Sequence, residues 1–121
     1  MRIDESGGVR VLHLDAEGPT ISSSADAADL VGLVWGENVG MIAIPVARLD
    51  PEFFRLRSLL AGDIVQKLVN YRLNLAVVGD ITACVAASDA FRAFVWESNR
   101  GSHVWFVPDE AALVEKLAGR A

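Results

Sequence analysis

Short apolar runs that alternate with segments of helical periodicity constrain the fold most strongly. Runs this short, bounded by glycine, proline or charged residues, are typical of strands buried on both faces of a sheet. Parallel neighbours need a crossover connection between them, and helical segments of suitable length separate these runs. The pattern predicts a single α/β domain over residues 1–121, with an ordered core of about 9–118 and a mostly parallel central sheet. The predicted strands are Val9–Leu14, Met41–Ile44, Leu73–Val78 and His103–Val107.

Turn signals predict a hairpin at the start of the domain. Gly7-Gly8 precedes the first apolar run, and a turn after that run leads to a short second strand, Thr20–Ser22. With this hairpin, the predicted element order is β-β-α-β-α-β-α-β-α.

Four helices are predicted between and after the strands. The longest covers roughly Glu52–Tyr71, because apolar residues recur at helical spacing throughout that segment. Hydroxyl or carboxylate caps and prolines mark the beginnings of the helices. These beginnings are Ser22–Ser24, Asp50-Pro51, Ser88 or Asp89, and Pro108–Glu110.

Charge and cysteine content exclude several classes of protein. The net charge is −5 and basic residues are not clustered, so we expect no nucleic-acid partner. Cys84 is the single cysteine, which rules out an intrachain disulfide and fits a reducing compartment. The N-terminus is polar, and no apolar run reaches membrane-spanning length. We therefore expect a cytoplasmic protein with no membrane partner.

The residues that usually carry catalysis or bind cofactors are sparse. His13, His103 and Cys84 lack metal-ligand spacing, so no metal and no cofactor is predicted. Cys84 could in principle pair with a histidine as a nucleophile, but it lies in no recognisable motif, and His13 is typical of a structural residue. Gly79 follows a strand without a phosphate-binding pattern. A non-enzyme is therefore the preferred interpretation, and an enzyme is kept as the alternative.

Polar residues after neighbouring strands predict a ligand site. Ligands of open α/β sheets bind outside the carboxyl ends of the strands. The alternative function is a binder of a small molecule, either an anionic ligand or a nucleotide, or an enzyme that uses this edge of the sheet. Ordinary helix caps are the competing interpretation of these residues. The candidate ligand-binding residues are Arg48, Asp50, Asp80, Thr82 and Ser88.

A second set of residues predicts a protein-interaction surface. One part is the polar end of the long helix, which only the closer family resemblance given below suggests as a contact surface; an ordinary solvated helix face is the alternative. The other part is an aromatic residue off the apolar stripe of the next helix, since exposed aromatics often anchor interfaces. Arg92 is four residues before that aromatic, Trp96, and is expected to stack on it. The interaction residues are Gln66, Lys67, Asn70, Tyr71, Arg72, Trp96 and Asn99.

The element order resembles that of STAS domains, the anti-sigma-factor antagonists. Those domains carry a phosphorylatable serine at the start of the helix after the third strand. The corresponding segment here, Leu49–Glu52, has no serine. The resemblance implies a STAS-like sandwich rather than a particular reaction.

A closer resemblance rests on Phe53-Phe54, Leu60–Lys67, Asn70–Arg72, Val78–Asp80 and Glu97–Gly101. These segments are similar to an uncharacterised bacterial family of domains of unknown function, DUF4180. The resemblance implies a small bacterial cytosolic protein and no established activity. Together with the rich apolar content, 52% of residues, the expectation is an interaction or regulatory domain that self-associates, with a protein or a second copy as partner.

Overall fold

A five-stranded mixed sheet forms the centre of the protein in a computed structural model that describes residues 1–120. The strands lie in chain order, β1-β2-β3-β4-β5. β1 is antiparallel to β2, and the other neighbouring pairs are parallel. The strands are β1 Arg2–Ser6, β2 Val9–His13, β3 Met41–Pro45, β4 Asn74–Val78 and β5 Val104–Val107.

Helices cover the two faces of the sheet unequally. Each crossover from β2 to β5 steps to the next neighbour in the same direction, so crossovers of one hand place their helices on one face. Buried residues of α1, α2 and α4 accordingly share one core cluster, whereas those of α5 belong to a second cluster. The helices are α1 Ser24–Val34, α2 Leu60–Asn70, α3 Thr82–Ala87, α4 Asp89–Arg100 and α5 Glu110–Arg120.

Residues of β3 alternate between the two clusters, as side chains of a strand must. Ile42 and Ile44 point to the face that α1, α2 and α4 cover, and Met41 and Ala43 point to the face that α5 covers. All four are buried. The uninterrupted apolar run therefore reflects a strand with helices on both sides.

An N-terminal hairpin is present, but the strand predicted to pair with β2 is wrong. β2 pairs with Arg2–Ser6, and Gly7 and Gly8, both at positive φ, form the two-residue turn between them. Thr20–Ser22 makes only an isolated parallel bridge, from Ile21 to Leu49. β1 therefore lies outside residues 9–118, the predicted ordered core.

The predicted long helix is also wrong, because its first eight residues are not α-helical. Short 3-10 segments occupy Pro51–Phe54 and Leu56–Ser58, and α2 begins only at Leu60. Leu59 adopts a left-handed conformation with φ of 63°, which separates the two parts. The short helix α3 was not predicted either. In residues 1–120, no helix combines the length and apolar character needed to cross a bilayer.

Candidate functional site

Arg48 holds a loop in place. Its guanidinium donates hydrogen bonds to the carbonyl oxygens of Pro19 at 2.8 Å and Asp15 at 3.0 Å. It also packs against Gly18, where a Cβ atom would lie 2.8 Å from the Arg48 Cζ atom. The donors of this predicted ligand residue are thus engaged with the loop between β2 and α1.

The other four predicted ligand residues make local capping contacts. A carboxylate oxygen of Asp50 accepts from the Glu52 N–H at 2.9 Å, and the Ser88 hydroxyl accepts from the Phe91 N–H at 3.1 Å. Asp80 accepts hydrogen bonds from both the backbone N–H and the hydroxyl of Thr82. These hydrogen bonds hold the pKa of Asp80 below its ordinary value.

The structure divides these five residues among different surroundings. Asp80 and Thr82 line a small cleft beside β5, whereas Ser88 lines a much larger groove. Arg48 follows β3 in a 3-10 turn, packs against the loop between β2 and α1, and lines neither of those hollows. The carboxyl edge therefore carries polar residues as predicted, but it does not gather them into one pocket.

The large groove lies between the segment after β3 and the helices after β4, and its volume is about 590 Å³. We name it the Cys84 groove, after the thiol in its wall. Apolar lining comes from Phe54, Leu56, Ala83 and Ala87. Its size is within the range of small-molecule sites.

Two arginines give the Cys84 groove a positive lining. Arg55 forms an exposed ion pair with Glu52 at 3.2 Å. Arg57 has no hydrogen-bond or ion-pair partner among residues 1–120. The sequence interpretation missed both arginines because it placed them within a continuous helix.

A second polar cluster lies at the carboxyl end of β2. His13 Nε2 is 3.0 Å from Asp4 Oδ1, and His13 Nδ1 is 3.3 Å from Glu110 Oε1. Arg2 forms ion pairs with both carboxylates. The His13 side chain is only 11% exposed, so the cluster fastens β1 to the start of α5 and agrees with the structural role predicted for this histidine.

The chemistry of the His13 cluster favours an ion-pair network over a metal centre. One imidazole and two carboxylates are metal-ligand types, and their ligand atoms lie within 4.8 Å of one another. The carboxylates, however, face different nitrogens of the ring, and Arg2 already provides a cation. Partial burial opposes ionisation of Asp4, but hydrogen bonding and charge from His13 and Arg2 outweigh it and lower the pKa of Asp4.

The predicted interaction residues near the end of α2 adjoin an exposed aromatic pair. The rings of Trp35 and Tyr71 meet edge-on, with centroids 6.2 Å apart, and Trp35 is 73% exposed. A hollow of about 280 Å³ adjoins them, with apolar walls from Val31, Val39 and Leu73. We name these side chains and the hollow the Trp35–Tyr71 surface; the sequence interpretation included Tyr71 but not Trp35.

The remaining predicted interaction residues differ in their surroundings. Gln66 donates to Asn70 at 2.8 Å on the exposed side of α2, and Lys67 and Arg72 belong to the same end of that helix. Arg72 is exposed with φ of 60°. Arg72 directly follows Tyr71 in the chain.

Trp96 and Asn99 lie on α4 instead. Trp96 is 60% exposed and stacks with Arg100, 4.3 Å from its ring centroid, whereas the predicted partner Arg92 bonds Asp89. The Asn99 side chain accepts a hydrogen bond from the Phe106 N–H at 2.7 Å. Asn99 therefore joins α4 to β5 within the domain.

The fold and these sites define a small α/β domain with a five-stranded mixed sheet. Hollows open at both the amino and the carboxyl ends of its parallel strands. A family model described as Domain of unknown function (DUF4180) matches residues 6–117. The chain therefore belongs to the DUF4180 family, as its sequence indicated. Searches of curated proteins and of solved structures gave no match.

Proposed function

We propose that this protein is a non-enzymatic interaction domain that self-associates through the Trp35–Tyr71 surface. The observation that carries the proposal is the exposed aromatic pair beside an apolar hollow. Large aromatic side chains in contact at a surface are the residue types that dominate binding energy in interfaces.

A second copy of the chain is the partner that this surface suits best. A two-fold contact requires a surface to complement itself. Here a projecting ring, Trp35, lies next to a hollow lined by Val39 and Leu73, so each copy offers both a projection and a recess. Glu37 and Arg72, of opposite charge, are exposed near the same edge and can pair across the axis.

We further propose a regulatory role in the cytoplasm of a bacterium, of the STAS-like kind. The support is the order of the elements and the lack of a recognisable catalytic set in the sequence. Fold likeness alone does not assign function, so the experiment addresses the surface itself.

Sedimentation velocity over a range of protein concentrations tests the proposal. We expect a monomer–dimer equilibrium for the wild type. Trp35→Ser should raise the dimer dissociation constant about tenfold or more, because a central aromatic anchor is lost. Trp96→Ser is the matched control, since Trp96 is similarly exposed on α4. A monomeric wild type at high concentration would contradict the proposal, as would a loss of association in Trp96→Ser alone.

A further inference from the structure

We propose that the Cys84 groove binds a small monoanionic carboxylate with an apolar body. This inference is independent of self-association, because the groove and the Trp35–Tyr71 surface have different lining residues. The groove opens where chain segments leave the carboxyl ends of β3 and β4, which is where open α/β sheets bind their ligands.

The wall of the groove continues into the hydrophobic core. The Phe54 ring lies 5.3 Å from the ring of Phe53 and 5.8 Å from that of Phe91, between centroids. Phe53 and Phe91 are fully buried, whereas Phe54 is only half-buried and reaches the groove. An apolar wall on a rigid base suits the hydrocarbon part of a ligand.

The charge of the lining selects the ligand's polar group. The protein carries a net charge of −5, yet the charged residues that line the described groove, Arg55 and Arg57, are both cationic. Glu52 compensates Arg55, which leaves one cation, Arg57, without a partner in the described chain. One uncompensated guanidinium matches one carboxylate, which it can hold with two parallel hydrogen bonds.

The volume sets the size of the apolar body. A groove of about 590 Å³ that is open to solvent on one side suits about 10 to 15 non-hydrogen atoms. Decanoate has this size and charge and is our probe. Decanol lacks the charge, and acetate lacks the apolar body.

Alkylation of Cys84 by iodoacetamide reports occupancy, since Cys84 is the single thiol of the chain and lines the groove. We expect decanoate, below its micelle-forming concentration, to slow alkylation saturably, by about tenfold at ten times its Kd. Decanol should protect less, and acetate should not protect.

Calorimetric titration of variants then identifies the carboxylate contact. Arg57→Gln should weaken decanoate binding about fivefold, whereas Arg100→Gln, on the exposed side of α4, should not change it. Ala87→Phe fills the groove from an exposed helix position and should abolish binding without unfolding the protein. An unprotected thiol, equal protection by decanol, or full affinity in Arg57→Gln would each overturn the proposal.

Discussion

At the scale of single residues, Asn99 shows how a polar side chain can be structural rather than functional. Its Oδ1 atom satisfies the N–H of Phe106 at 2.7 Å, and its backbone carbonyl accepts from Lys116 Nζ at 3.0 Å. One residue thereby joins α4, β5 and α5. Removing the acceptor leaves a partly buried N–H without a partner, which is more costly than losing an exposed hydrogen bond.

We predict that Asn99→Ala lowers the free energy of unfolding by about 1 to 3 kcal/mol. Asn99→Asp keeps an acceptor oxygen at the same place and should retain most of the stability. Urea denaturation measures both. Equal losses in the two variants would show that the contact with Phe106 is not responsible.

Asp26 provides a pH-dependent contribution at the start of α1. The Ser22 N–H donates to its carboxylate at 2.9 Å, and chiefly this hydrogen bond, opposed by slight desolvation, lowers the pKa of Asp26 below 3.8. A lowered pKa in the folded state stabilises the protein above the unfolded value, and the contribution disappears as pH falls through the folded pKa.

We therefore predict that Asp26→Asn destabilises the protein near pH 6 and that the difference from wild type shrinks as pH falls below 3.8. Urea denaturation across this range measures it. The exposed Asp29→Asn, in the same helix, is the control. A difference that stays constant with pH would contradict a role for the ionised carboxylate.

At the scale of elements, Leu59 decides where α2 begins. It is 69% exposed and left-handed, and the Ser58 hydroxyl before it accepts from the Leu60 N–H at 3.2 Å. The left-handed conformation costs a leucine about 1 to 2 kcal/mol, a cost that glycine does not carry.

We predict that Leu59→Gly raises the free energy of unfolding by about 0.5 to 1 kcal/mol. If Leu59 were instead inside a continuous helix, glycine would lower stability by about the same amount. The sign of the change, measured by urea denaturation, thus distinguishes the two arrangements.

The elements that could be predicted are those with one dominant signal. Met41–Ile44 is apolar throughout, and Ser88, one of the two predicted starts, caps α4. β1 was missed because an exposed edge strand can carry charged residues such as Asp4 and Glu5. The break at Leu59 was missed because leucine itself favours helix, and only tertiary packing imposes its conformation.

The candidate sites divide in the same way. The sequence correctly predicted that Asp80 and Ser88 follow β4. Both side chains, however, accept hydrogen bonds from nearby backbone N–H groups. The Cys84 groove depends on how the segment after β3 approaches α3 and α4 in space. No spacing in the sequence indicates that approach, so Arg57 could not be recognised beforehand.

At the scale of the whole molecule, distinct surfaces lie at the two ends of the parallel strands. The carboxyl edge carries the His13 cluster and the Cys84 groove, and the opposite edge carries the Trp35–Tyr71 surface. The ligand and the second copy proposed above would therefore contact different residues.

Intermolecular nuclear Overhauser effects in a mixture of isotope-labelled and unlabelled chains test the self-association most directly. We predict cross-peaks between the Trp35 ring protons of one copy and the methyl groups of Val39 and Leu73 in the other. A dimer whose intermolecular cross-peaks arise only from other surfaces, such as that around Trp96, would contradict the account.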